Sequence, residues 1–441
     1  AAGGVTWYQA ALLMIGTAMF LMVLGLPVAF AFISTNLAGA FIFMGGERGL
    51  EQVVSNMTPA ISSFILVPVP LFILMGDLMI QTGLARKVVD GFDVLIGRVP
   101  GRLCHVTVAA GTGFGALSGS ALAGTAMLGA TLVPEMMRRG YKKHMAMGPV
   151  LGAGGLSILI PPSALAVLLG SIAQIDIGRL LVAGIVPALI LAVMYVGVIV
   201  IQVKLDPSCA PAYDMQPVPL SRKLVLALRD IAPMGLVVFA VCGLILLGIA
   251  TPSESAAFGV LSVLALAVAF RCLTWQALRA ALLSAMRVSV MLFTIVLGSI
   301  TFSQVLAFSG ASAGMVQWAL GFEMPPLAVL GLMLWLVVFL GLFIDEVSQI
   351  MLTLPIYMPI VNALGFDPVW FGTLMMICMV IGALSPPFGL QLFVMMGVGP
   401  KGTSLAEVSW AAAPYMASQV VLVLLIIAFP AIALTLANVM Q

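Results

Sequence analysis

Residues 115–121 read GALSGSA, set between the apolar runs RLCHVTVAAGTGF (102–114) and LAGTAMLGATLVP (122–134). A plain membrane helix has no use for a cluster of small, flexible and hydroxyl-bearing residues at its centre. The flanks explain it. Arg102 and Arg138 bound a stretch of 35 residues, too few for two full spans of about 20 residues plus a turn. Basic residues favour the cytoplasmic side, so both ends belong on one face. The stretch is expected to be a re-entrant helical hairpin, 103–137, that turns at GALSGSA.

The rest of the chain sets the scale. Of 441 residues, 62% are hydrophobic and only 8% charged, and the mean hydropathy is +1.22. Soluble domains carry about 25% charged residues. Repeated apolar runs long enough for a ~30 Å hydrocarbon core make this an all-α polytopic membrane protein. The net charge of +2 gives no indication of nucleic-acid binding. The five cysteines are scattered without a CxxC pair, so no transition-metal site or disulfide framework is expected. The N-terminal stretch AAGGVTWYQAALLMIGTAMF lacks a basic leader and a cleavage signature, and is expected to be the first span.

Charges and turn residues place spans at roughly 7–24, 28–45, 62–83, 144–176, 178–203, 230–249, 252–270, 288–310, 367–399 and 411–436. The stretch 324–366 is a second hairpin, flanked by Glu323 and Asp367 and entering from the opposite face. With the N-terminus outside, only Arg48 and Arg179 of the 18 basic residues fall outside the cytoplasm. Arg98 and Arg102 then share the cytoplasmic side with Arg138 to Lys143. The segments 84–102 and 271–287 are basic and amphipathic and are expected along the cytoplasmic interface.

An offset of 225 residues maps Pro27, Pro134, Gly140, Pro161 and Pro162 onto Pro252, Pro359, Gly365, Pro386 and Pro387. The spacing predicts two repeats, 1–203 and 230–441, joined by a proline-rich cytoplasmic linker, 204–229. Each has about five spans plus one hairpin, and an odd number of spans inverts the second copy. Inverted repeats with broken helices are the plan of a secondary transporter whose site lies at the midplane between them. The breaks are visible as GAGGLSILIPPS (152–163) within 144–176 and IGALSPPFG (381–389) within 367–399. Proline removes a backbone donor, and freed polar groups cannot face lipid. They must line a cavity or hold an ion.

Four polar breaks therefore meet at mid-membrane: 115–121, 152–163, 342–349 and 382–389. Ser118, Ser120, Ser157, Ser163, Ser348 and Ser385 supply hydroxyls. Helix C-terminal carbonyls suit Na⁺, and helix N-termini suit an anion. Asp345, in the tip LFIDEVSQ (342–349), falls at the offset position of Ser120. A carboxylate at that depth is a functional candidate; it is open to ligating a cation, binding substrate hydroxyls, or capping a helix. Asp77, in PLFILMGDLM, has no helix break beside it and is read as a scaffold residue.

The motifs GLPVAFAF (25–32), PLFILMGDLM (70–79), GALSGSALAG (115–124), VPEMMRRGY (133–141), LIPPS (159–163), GIATPSESAA (248–257), FIDEVSQIMLTLPIYMPIV (343–361) and SPPFGLQLF (385–393) together resemble the large membrane subunit of tripartite ATP-independent periplasmic (TRAP) transporters. The resemblance runs along essentially the whole chain. It implies Na⁺-driven uptake of an organic acid across the bacterial inner membrane by an elevator mechanism. It also implies a periplasmic substrate-binding protein and a small four-helix membrane subunit as partners. Carried onto this sequence, it makes Ser118, Ser120, Gly154, Asp345, Ser385 and Gly389 candidate sodium ligands. Ser157, Ser163, Asp345, Ser348 and Pro386 are candidate substrate contacts. One pairing of tip and break per repeat implies at least two Na⁺ sites.

Two other classes compete. A stand-alone sodium–dicarboxylate symporter has comparable hairpins, but its Ser-Asn-Thr tips are absent here. An intramembrane serine protease needs a histidine facing its nucleophile. His105 and His144 lie near cytoplasmic ends while Ser118 is at a tip. The two deep aspartates, Asp77 and Asp345, lack the GxGD context of an aspartyl protease. No enzymatic activity is expected.

Overall fold

Helices such as Ile185–Leu205 carry apolar side chains on every face, so they are stable only where lipid or protein covers them all round. Leu189, Val193 and Ile201 on this helix are more than half exposed, as lipid-facing residues are. The computed structural model describes residues 5–62, 64–97, 99–118, 120–211, 219–321 and 324–439. All regular secondary structure among them is helical. Arg98, Gly119, Glu323 and linker residues 212–218 lie outside the described residues, as does the side chain of Ser118.

Among the described residues, five helices are long and apolar enough to cross a membrane alone: Ile177–Leu205, Ser221–Leu246, Pro252–Ala269, Trp275–Phe308 and Leu405–Ala428. Two bent pairs raise the number to seven: Pro68–Gln81 with Leu84–Leu95, bent by 67°, and Lys143–Leu159 with Ala164–Ala173, bent by 44°. The other expected spans are shorter helices, because glycine and proline interrupt them. Pro326–Gly341 has 16 residues and at 1.5 Å per residue reaches about 24 Å. That length suits the arm of a hairpin better than a full span.

Several elements differ from the sequence reading. A short helix not anticipated, Ala311–Gly321, follows Trp275–Phe308, and the span expected from 230 begins at Ser221, inside the expected linker. The segments 271–287 and 288–310 form one continuous 34-residue helix, Trp275–Phe308. It contains no proline and a single glycine, Gly298. Arg279 and Arg287 do not end it, because long basic side chains reach the interface from a helix that continues. The helix Glu47–Ile61, which was not anticipated, follows the second helix. Its polar residue Asn56 donates to Gln304 of the long helix at 3.1 Å. The last expected span ends early, at Ala428; a short helix, Ala431–Asn438, follows Pro430.

Hairpin 1 consists of Arg102–Ser118 and Ala121–Arg138, and hairpin 2 of Pro326–Gly341 and Glu346–Ala363. Broken helix 1 is Lys143–Leu159 followed by Ala164–Ala173, and broken helix 2 is Pro368–Leu384 followed by Leu390–Val398. Both Pro-Pro pairs in the breaks, 161–162 and 386–387, are cis. Ion pairs hold the basic ends: Lys142 lies 2.5 Å from Asp206, and Lys143 lies 2.9 Å from Glu407. Hydrogen bonds from Lys142 and Ser208 pull the Asp206 carboxyl down to about 2. Asp77 lies in Pro68–Gln81, which packs on Pro252–Ala269 and on the long helix. Its Oδ2 is buried and has no hydrogen-bond partner among the described residues.

Candidate functional site at the hairpin tips and helix breaks

Hairpin 1 turns where Ser120 caps its second arm, accepting a hydrogen bond from the Ala123 amide at 3.4 Å. A serine in extended backbone before an apolar helix is a standard N-cap. Broken helix 1 fits between the two arms. A Cβ on Gly115 would lie 3.0 Å from Ser157 Oγ, and one on Gly124 would lie 3.1 Å from the same oxygen. The two glycines thus make room for Ser157. Its hydroxyl is buried and has no hydrogen-bond partner among the described residues. Leaving such a group unpaired costs roughly 1–3 kcal/mol.

Gly154 lies one turn earlier and is more tightly enclosed. A Cβ there would meet Thr125 Oγ1 at 2.1 Å, Gln391 Nε2 at 2.6 Å and the Ala121 carbonyl at 3.0 Å. Gln391 belongs to broken helix 2 and is fully buried. It donates to Thr125 Oγ1 at 2.7 Å and to the Leu151 carbonyl at 2.9 Å. Its own Oε1 has no partner among the described residues. One side chain therefore joins hairpin 1, broken helix 1 and broken helix 2 around an oxygen-rich point. Gly155 faces Val380, with Val380 Cγ1 2.4 Å from its Cβ position; these two residues are themselves 225 apart. Ser163 caps Ala164–Ala173 through the Ala166 amide at 3.2 Å and is fully buried.

In hairpin 2 Asp345 is the cap. Its Oδ2 accepts from the amides of Val347 at 3.1 Å and Ser348 at 3.2 Å, and its Oδ1 accepts from the Ser348 hydroxyl. Each carboxylate oxygen has two lone pairs, so capping leaves acceptor capacity. Beside it, Glu346 and Gln349 are buried, and the Oε1 atom of each lacks a partner among the described residues. Hairpin 2 touches broken helix 2 backbone to backbone: a Cβ on Gly341 would lie 2.7 Å from Gly382 Cα. Ser385 turns its hydroxyl back to the Ile381 carbonyl at 2.7 Å. Gly389 faces two carbonyls, with Ala383 O and Ser385 O at 2.5 and 2.7 Å from its Cβ position. Any side chain there would displace those oxygens.

The candidates thus fall into two groups. Gly154 and Ser157 meet hairpin 1, whose arm Ser120 caps. Asp345 meets Ser348, and Ser385 meets Gly389, with Phe343 of the tip 5.8 Å from Phe388 of the break between ring centroids. Pro386 is exposed beside the second group, whereas Pro161 and Pro162 are buried. Sequence reasoning missed Thr125 and Gln391. The signal available was an amide inside the apolar run SPPFGLQLF, since a polar side chain at membrane depth needs partners.

Residues 15–432 match the family model of the tripartite ATP-independent periplasmic transporter, DctM component. The chain belongs to this family. The match spans both hairpins and both broken helices. Among relatives of this TRAP permease, the C4-dicarboxylate TRAP transporter large permease protein DctM of Pseudomonas aeruginosa is 30% identical, over 92% of this chain and 94% of that protein. The sialic acid TRAP transporter large permease protein SiaM of Vibrio cholerae is also 30% identical, over 86% of this chain and 87% of its own. In three dimensions the fold is similar to the YdaH transporter of Alcanivorax borkumensis, with a TM-score of 0.67 at 13% identity, covering 88% of this chain and 90% of that one. The protein is a multi-pass transport permease subunit and not an enzyme.

Proposed function

We propose that this TRAP permease is the Na⁺-coupled carrier subunit for uptake of an organic acid across the bacterial inner membrane. It works with a periplasmic substrate-binding protein and a small four-helix membrane subunit. Relatives named for C4-dicarboxylates and for sialic acid support a carboxylate substrate. The observation that carries the reading is the pairing of each hairpin with a helix break around oxygens that have no partner among the described residues: Ser157 and Gln391 in one group, Glu346 and Gln349 in the other. At least two Na⁺ bind in this arrangement, one per group, with the carboxylate between them. Gly155 against Val380, residues one offset apart, supports two inverted repeats meeting at a local two-fold axis. The hairpins and broken helices move together as the elevator, against a scaffold that includes Trp275–Phe308.

Coupling has a simple electrostatic logic. Moving one negative charge inward costs about 2.3 kcal/mol per 100 mV of negative-inside potential. A dianion needs two cations for neutrality and a third for the potential to drive it. In proteoliposomes holding the permease, its small subunit and loaded binding protein, uptake is expected only with an inward Na⁺ gradient. Uptake of equal rate with K⁺ in place of Na⁺ would remove sodium from the mechanism.

Two further outcomes test orientation and partners. Arg138→Cys, at a side chain 77% exposed, is expected to react with an impermeant thiol reagent only from the cytoplasmic side. Arg48→Cys is expected to react only from outside. Labelling of Arg138→Cys in intact cells would reverse the topology. The permease reconstituted alone is expected to give no uptake, and robust uptake would favour the stand-alone symporter instead.

A further inference from the structure

A cavity of about 430 Å³ lies outside both groups, between the end of broken helix 1, the long helix Trp275–Phe308 and the second arm of hairpin 2. Its polar wall includes Gln174, Ser299, Ser303, Gln304 and Asn362, and no acidic or basic side chain lines it among the described residues. Two helices bring their C-terminal ends to it, and a third passes beside it. Gln174 is the C-cap of Ala164–Ala173, Asn362 lies in the last turn of Glu346–Ala363, and residues 299–304 lie one to two turns before the end of Trp275–Phe308. The C-terminal end of a helix carries the negative pole of its dipole.

Two prolines each take the helical donor away from a carbonyl one turn earlier, and one of those carbonyls is left free. Pro355 cannot donate to the carbonyl four residues earlier. That carbonyl, on Met351, instead accepts from Ser299 Oγ at 2.9 Å. Pro359 likewise leaves the Pro355 carbonyl without its helical donor, and both prolines line the cavity. Carbonyl, hydroxyl and amide oxygens are the ligands hard cations take. An anion would find two negative helix ends and, among the described residues, no lysine or arginine.

We propose that this cavity is an antechamber that draws a hydrated Na⁺ from the periplasm toward the tip of hairpin 2. It is a site distinct from the two ion groups at the tips and breaks. Its volume holds about 14 waters at ~30 Å³ each, so the ion enters with much of its hydration shell. Pro355 lies ten residues from Asp345 on the same helix, about 15 Å at 1.5 Å per residue. The identity of the cation as sodium and the periplasmic opening rest on the function and orientation proposed above; the preference for positive charge does not.

The test separates these. Ser303→Cys in the reconstituted complex is treated from outside with a trimethylammonium methanethiosulfonate and with its sulfonate counterpart. The parent complex corrects for the native cysteines, and free-thiol rates correct for reagent reactivity. The cationic reagent is expected to react at least tenfold faster, and added Na⁺ is expected to slow it. Equal rates, or a faster sulfonate, overturn the proposal whether or not transport needs sodium. Asn362→Lys is the second arm. It is expected to raise the external Na⁺ concentration for half-maximal uptake at least fivefold while substrate KM stays within twofold. A raised Na⁺ requirement supports the antechamber. An unchanged Na⁺ requirement, or a changed substrate KM alone, overturns it.

Discussion

Gly154→Ala is expected to lower Na⁺-dependent uptake at least about tenfold while the permease still inserts and purifies. The added methyl would sit 2.1 Å from Thr125 Oγ1, 2.6 Å from Gln391 Nε2 and 3.0 Å from the Ala121 carbonyl. None of these is the loose end of a surface side chain. Thr125 and Gln391 are bonded to each other at 2.7 Å, and Ala121 O is backbone. Hairpin 1 or broken helix 2 must therefore move away, at a cost of about 1–3 kcal/mol for overpacking. Gln391, whose Oε1 is one of the oxygens assigned to the ion, is displaced with them. Gly331→Ala is the control, because nothing lies within 4 Å of a Cβ there. Alanine is favoured over glycine within a helix by about 1 kcal/mol, so this variant is expected to transport normally. If uptake and thermal stability of the two variants coincide, the junction at Gly154 has no part in transport.

Asp345 yields the second large effect, and two substitutions separate its roles. Asparagine caps a helix about as well as aspartate, whereas alanine forfeits roughly 0.5–2 kcal/mol. Asp345→Asn keeps an acceptor for the Val347 and Ser348 amides but removes the negative charge. It is expected to leave thermal stability near that of the parent and to raise the Na⁺ requirement at least tenfold, equivalent to about 1.4 kcal/mol. Asp345→Ala is expected to lose both. Ser120→Ala, at the matching position of hairpin 1, removes one long capping bond of 3.4 Å and is expected to shift Na⁺ dependence less. Wild-type Na⁺ dependence in Asp345→Asn would leave Asp345 a cap and nothing more.

The chain's punctuation was legible because it acts locally. Prolines at 68, 252, 326 and 368 each open a helix, since proline's missing donor is idle at a first turn. Ser120, Ser163, Asp345 and Asp367 each cap the helix that follows. The charges at 279 and 287 misled, because a basic residue marks the depth of a segment and not the end of its helix. The helix Glu47–Ile61 escaped notice because its polar face resembles a surface loop in a chain otherwise scanned for apolar runs.

Sequence by itself determined that this protein spans a membrane, where proline and capping residues start or break its helices, and which tips and breaks carry polar groups. Each of those follows from neighbours in the chain: a missing amide hydrogen, a side chain two or three residues from an orphan amide, an apolar run of fixed length. Only tertiary structure decided which of those groups meet. Gln391 reaches Thr125 across 266 residues, Ser157 enters the gap that Gly115 and Gly124 leave open, and two helix ends and the long helix line a cavity free of charged side chains among the described residues. Such contacts depend on how packed segments cross, and the local rules of capping and helix breaking carry no information about crossing.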